Sequence, residues 1–132
     1  MKLNILNTRE KQEILDKLEE QYGFEEEMDQ TFLKSSKDKL YIVSRDIARI
    51  NLEEYKIDRI GNYFASLDSG GNLRLSIEGS QIVGPHATKN VREISYKEFE
   101  KWIARESLES EENWSPFQIV KHGEDFIACG KV

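Results

Sequence analysis

A single cysteine, Cys129, stands in a chain of 132 residues that has only two histidines and two prolines. One thiol excludes an internal disulfide and a cysteine-based zinc site, and it suits a reducing compartment. No apolar run approaches the ~18 residues that a membrane-spanning helix needs. Met1 to Asn4 open no apolar stretch of the kind that directs secretion. Nucleophilic catalysis needs a nucleophile, a base and an orienting group. His86, His122 and Cys129 are the whole histidine and cysteine inventory, and they have no metal-ligand spacing. His122 falls in a hairpin turn and His86 in a loop after Pro85, so both read as solvated surface positions. Cys129 lies in an apolar strand pattern and reads as a small core residue. Gly70-Gly71 lacks the following Lys-Ser/Thr of a phosphate loop and reads as a turn. The expectation is a protein with no catalytic residue, no metal and no cofactor.

Charge is plentiful but unevenly placed. The chain is 33% charged with a net charge of −6, which by itself disfavours nucleic acid. Residues 1–30 carry nine acids against four bases, residues 31–105 thirteen bases against ten acids, and residues 106–132 six acids against two bases. A phosphate-binding face, if one forms, therefore belongs to the middle segment.

Hydrophobic spacing gives an α+β reading. Asn7 or Thr8 caps a first helix, with Glu10 completing a capping box and Ile14, Leu15, Leu18 and Tyr22 on one face. Gly23 suits the left-handed residue that closes it. The acids of 25–29 follow as a solvated connector. Phe32-Leu33 and Leu40 to Val43 read as a hairpin about Ser35 to Asp38. Ser44 caps a short helix bearing Ile47 and Ile50. Residues 57–67 read as a strand with a bulge at Gly61, in which either Tyr63 or Phe64 faces outward. Asp68 to Asn72 is a turn, and Leu73, Leu75 and Ile77 alternate as a half-buried strand with Arg74 outward. A short helix and loop follow to Thr88, limited by Pro85. Val91 to Ile94 opens a second unit, Ser95 and Glu98 form another capping box, and Phe99, Trp102 and Ile103 make an apolar helix face that reads as core. Phe117 to Val120 and Phe126 to Cys129 form a final hairpin.

Five segments in this order carry a resemblance: Leu40-Tyr41-Ile42-Val43-Ser44-Arg45, Arg59-Ile60-Gly61-Asn62-Tyr63-Phe64, Leu73 to Ser80, Ala87 to Val91, and Ile119 to Lys131. Together they resemble the pre-PUA plus PUA region at the C-terminus of Sun-family RNA cytosine methyltransferases and of free-standing archaeal-type relatives. They are similar, more distantly, to Nip-type ribosome-biogenesis factors. The resemblance implies a pre-PUA-like α+β domain over residues 1–88, a mixed sheet with flanking helices, followed by a small β-rich PUA-like pseudobarrel over 89–132. In the family further chain, commonly basic, completes the barrel; this sequence ends at Val132, which implies a barrel shortened or closed differently. The methyltransferases' catalytic domain has no counterpart here.

The function implied is a cytoplasmic, non-enzymatic RNA-binding adaptor in rRNA or tRNA modification or ribosome biogenesis. Phosphate contacts need cations on one face, and the candidates are Arg74, Lys89, Arg92 and Lys121, with Arg59 beside Tyr63 as a base-stacking aromatic. The partner is structured RNA, tRNA or rRNA. The alternative is a protein-interaction module that recruits an RNA methyltransferase or assembly factor, its acidic stretches 25–29 and 106–112 suiting a basic partner.

Overall fold

The computed structural model describes residues 3–44, 62–104 and 117–130. Along these the chain forms β1 (Leu3–Ile5), α1 (Thr8–Tyr22), β2 (Thr31–Ser35), β3 (Lys39–Val43), β4 (Asn62–Leu67) and β5 (Leu73–Leu75). It continues as α2 (Ile77–Val83), a 3-10 turn (Gly84–His86), β6 (Val91–Glu93), α3 (Tyr96–Ile103), β7 (Gln118–His122) and β8 (Asp125–Gly130). The fold is α+β. The first five strands form one sheet in the order β1-β2-β3-β4-β5, and β6-β7-β8 form a second. The expected short helix after Ser44, the bulge at Gly61 and the acidic stretch 106–112 lie outside the described residues.

Local chemistry sets most element ends. The Asn7 side chain accepts from Glu10 N–H at 2.8 Å while the Glu10 carboxylate accepts from Asn7 N–H at 3.1 Å, the reciprocal pair that satisfies two orphan donors at a helix start. Gly23, at φ 67°, closes α1, with the Gly23 and Phe24 N–H groups bonded to the Glu19 and Leu18 carbonyls. The Ser35 hydroxyl accepts from Lys37 and Lys39 N–H, and Asp38 takes a positive φ, so the β2–β3 turn is built by its own polar residues. Asp68 does the same between β4 and β5, accepting from Gly70 and Asn72 N–H. At the start of α3, Glu98 N–H and Ser95 Oγ are 3.2 Å apart, and Ser95 N–H reaches Glu98 Oε1 at 3.1 Å.

Several expectations are corrected. Leu3 to Ile5 form an edge strand paired with β2 that the sequence pattern did not suggest. Ile77 does not extend β5; it is the first residue of α2 and is 63% exposed. The reason is Ser76, whose hydroxyl accepts from Gly79 N–H at 2.9 Å and turns the chain into a helix. The first sheet is antiparallel throughout rather than mixed, and the parallel pairing occurs in the second sheet between β6 and β7, which flank α3. The two sheets among the described residues are open, with no closed barrel. His122 is not a solvated turn residue: half-buried at the end of β7, it places Nδ1 2.9 Å from the Ile94 carbonyl and stacks on Phe99 at 6.0 Å.

Both sheets feed one apolar cluster. Ile14, Leu18 and Tyr22 of α1 pack with Phe32, Leu40, Phe64 and Leu73 of the first sheet and with Ile119 and Cys129 of the second. Val120 and Ile94 form a smaller cluster with Phe99 and Ile127 on the α3 side of the second sheet. Cys129 is thus buried, as expected, its thiol 3.3 Å from the Tyr22 hydroxyl; burial pushes the thiol pKa up.

The junction between the halves is polar and buried. The Gln21 side-chain amide donates to the Leu73 carbonyl at 2.8 Å and accepts from Leu73 N–H at 2.8 Å, so it completes the β5 edge as a neighbouring strand would. The Tyr22 hydroxyl donates to the same carbonyl. The helix-terminal carbonyls of α1 are taken by residues 88–90: Thr88 and Lys89 N–H bond to Tyr22 O, and the Asn90 amide donates to Gln21 O. Asn90 has φ 55°, a conformation asparagine tolerates better than most residues, and its carbonyl accepts from Ile119 N–H at 2.7 Å.

Gln21→Ala leaves the buried Leu73 N–H without its acceptor and should lower unfolding free energy by about 1–3 kcal/mol in urea titrations. Gly79→Ala, which in an exposed helix would stabilise by about 1 kcal/mol, should destabilise instead, because the new Cβ would lie 2.2 Å from the Phe64 carbonyl oxygen. A variant as stable as wild type in either test contradicts this packing.

Candidate nucleic-acid interface

The cations singled out from sequence do not share a face. Arg92 lies opposite Val120 on β6 and β7, on the side of the second sheet that carries α3, and its Nη2 is 3.1 Å from Glu98 Oε2. Lys121, the next residue along β7 after Val120, projects to the other side and sets its ammonium 5.4 Å from the Phe126 ring centroid. Lys89 caps α1: its Nζ donates to the Glu20 carbonyl at 3.2 Å, where a helix C-terminus favours a cation. Arg74 is exposed on β5. Arg59 lies outside the described residues.

What the fold does bring together is Tyr63 and Arg74, and with them two residues the sequence reading missed. Tyr41 and Tyr63 are opposite one another across β3 and β4, their rings 5.7 Å apart and tilted by 47°. Lys39, two residues from Tyr41 and so on the same face, holds its ammonium 5.7 Å from the Tyr63 ring centroid. Lys39 is opposite Ser66, and Ser66 is opposite Arg74. Lys39, Ser66 and Arg74 thus form one register row across three strands, and Tyr41 and Tyr63 lie in the row beside it. Tyr63 is 37% exposed, and Lys39 and Arg74 are open to solvent.

A bulge creates this arrangement. Leu40 pairs with Ala65 but Tyr41 with Tyr63, so Phe64 is an extra residue in β4. Phe64 and Ala65 are then both buried in the main cluster, while Tyr63 and Ser66, three apart, face outward together. Ser76 anchors the bulge: its hydroxyl donates to the Tyr63 carbonyl at 2.6 Å and its N–H to the Phe64 carbonyl at 2.8 Å. The signal in sequence was the alternation of Lys39 with Tyr41; its partner strand and register were not readable there.

Chemically the two rows offer aromatic faces for stacking and two cations for phosphates, with no carboxylate among their five members. His86, by contrast, is exposed on the 3-10 turn with Nδ1 3.5 Å from Glu26 Oε1 and its ring edge-on to Phe24. Comparison with protein-family models, with characterised proteins and with solved structures gives no significant match to this chain. No helix among the described residues is long and apolar enough to cross a membrane.

The Ser95 backbone N–H and, behind it, the Arg92 guanidinium hold the Glu98 carboxyl below the usual glutamate range. A carboxyl whose pKa falls on folding stabilises the native state above its unfolded pKa, and the contribution is lost as pH falls through the lowered native value. Wild type should therefore exceed Glu98→Gln in stability at neutral pH, with the difference shrinking below about pH 4.3. Paired urea titrations at neutral and strongly acidic pH check this; a difference that does not depend on pH contradicts it.

Proposed function

We propose that this protein is a non-enzymatic RNA-binding adaptor whose contact surface is the outward face of the first sheet at Lys39, Tyr41, Tyr63 and Arg74. The observation that carries the reading is the exposed Tyr63 beside the half-buried Tyr41, with the exposed Lys39 and Arg74 in the neighbouring register row. Bases stack on such rings whatever their identity, and sequence-tolerant stacking suits unpaired bases in the loops and ends of structured RNA. Lys39, against the Tyr63 ring, and Arg74, at the β5 edge beside Gly130, supply the cations for the RNA phosphates. The role belongs to rRNA or tRNA modification or ribosome biogenesis in the cytoplasm, with residues 1–88 as the pre-PUA-like unit and 89–132 as the PUA-like unit. Of the cations first considered, Arg74 stays central; Arg92, engaged by Glu98, and Lys89, engaged by α1, are secondary.

A second reading has one observation behind it. Glu25, Glu26 and Glu27 are exposed in succession after α1, a negative ridge that suits a basic protein partner such as an RNA methyltransferase or assembly factor.

Fluorescence anisotropy with a labelled single-stranded RNA octamer at several salt concentrations tests the main reading. Two phosphate contacts predict a slope of log K against log salt near −1.4, the single-strand value of about −0.7 per phosphate. Tyr63→Ala should weaken binding about 5- to 150-fold, the equivalent of about 1–3 kcal/mol for one stacked base, while Tyr63→Phe stays near wild type. Arg74→Ala should make the slope shallower by about 0.7. Binding that ignores Tyr63 and Arg74 would sink the assignment.

A further inference from the structure

Ser66 stands between two cations. It is directly opposite Lys39 across β3 and β4 and directly opposite Arg74 across β4 and β5, both antiparallel pairs. Residues so placed have Cβ atoms about 4.5–5.5 Å apart, a gap shorter than a lysine or arginine side chain. The Lys39 ammonium rests against the Tyr63 ring and the Arg74 guanidinium beside Gly130, on either side of the half-buried Ser66. Both cationic side chains are exposed and long enough to close over the serine hydroxyl. The acids of the adjoining turns are engaged: Asp38 pairs with Lys34 at 3.5 Å, and Asp68 accepts from Gly70 and Asn72 N–H.

The row of Lys39, Ser66 and Arg74 also lies at one end of the sheet. β3 begins at Lys39, and β4 ends at Leu67, the residue after Ser66. Lys39 is two residues from Tyr41, so this row and the tyrosine row are about 6.7 Å apart along the strands. A nucleotide stacked on Tyr63 spans that separation from its base, across the sugar, to its own 5′-phosphate. Past the row the strands turn back, so the face ends where that phosphate would sit. We infer that the row seats the 5′-terminal phosphate of an RNA strand whose first base stacks on Tyr63, an inference that rests on the RNA-binding reading of this face. A terminal monophosphate carries about −1.5 to −2 charge at neutral pH and three strong acceptor oxygens, where an internal diester carries a single charge. Two cations and a hydroxyl around one position match the monophosphate: the Lys39 ammonium, the Ser66 hydroxyl and the Arg74 guanidinium all donate to it. An internal diester at the same position leaves one of the two cations without a matching charge. The tyrosines supply stacking that tolerates any base, and the row supplies preference for a phosphorylated end.

The test is competition against the labelled octamer, read by anisotropy, with unlabelled octauridines that carry a 5′-hydroxyl, a 5′-phosphate or a 3′-phosphate. The 5′-phosphate should tighten binding about 2- to 30-fold, the strength of two exposed ion pairs. The 3′-phosphate adds the same charge at the other end and should leave affinity near that of the 5′-hydroxyl strand. Arg74→Ala and Ser66→Ala should each lower the ratio between the 5′-phosphate and 5′-hydroxyl strands. Equal affinity of wild type for these two strands overturns the inference and leaves the stacking face standing, as does a 3′-phosphate that helps as much as the 5′-phosphate. A ratio unchanged in both variants also overturns it. If the labelled octamer itself does not bind, the sheet-face reading fails, and an NMR titration with uridine 5′-monophosphate decides the phosphate seat separately. Amide shifts at Ser66 and Arg74 that uridine does not cause support it, and their absence overturns it.

Discussion

The Gln21 amide is the contact on which the two halves of this protein turn. β5 is only three residues long, and its outer edge would otherwise leave the Leu73 N–H and C=O facing a dry interior. Gln21 meets both groups with one side chain, at 2.8 Å each, from the last turn of α1. The next residue, Tyr22, adds its hydroxyl to the same carbonyl and lies fully buried against Cys129 of the second sheet. A buried amide pair left half-satisfied costs more than it contributes when complete, so helix, first sheet and second sheet are held to one geometry. The carbonyls of the same helix end receive residues 88–90, from which β6 departs.

That junction explains why the second half of the chain depends on the first. Asn90 bonds α1 with its side chain and β7 with its backbone and with Gln118, while adopting a left-handed conformation. Lys89, a cation that seemed available for RNA, serves there as a counter-charge for a helix end. Arg92 is likewise committed to the start of α3 through Glu98. In a chain with more acids than bases, cations near an acid or a helix C-terminus find those partners first, and a positive face built from scattered residues does not form by default.

The candidate site depends instead on backbone irregularity. Were Phe64 paired in a regular ladder rather than bulged, strand alternation would turn Ser66, three residues on, away from Tyr63, and the Lys39–Ser66–Arg74 register would no longer lie on the face of the tyrosine pair. Ser76 holds this bulge while capping α2. One serine hydroxyl therefore ties the start of α2 to the backbone of Tyr63.

Local chemistry was legible in the residues themselves. The Asn7/Glu10 and Ser95/Glu98 capping boxes, the Gly23 helix end, the Ser35–Asp38 and Asp68–Asn72 turns, the terminal hairpin and the buried Cys129 all rest on interactions within a few residues of chain or on simple apolar patterning. The outward Tyr63 was one of two options that alternation left open. What lay beyond reach was pairing. The β1 edge strand, the parallel match of β6 with β7, the Phe64 bulge and the Gln21 clamp each join residues distant in sequence, and composition does not encode register. Whether Arg92 and Lys121 face the same way, or Lys39 joins Tyr63, follows from which strand lies beside which, and that is settled by packing of the whole core rather than by any one segment.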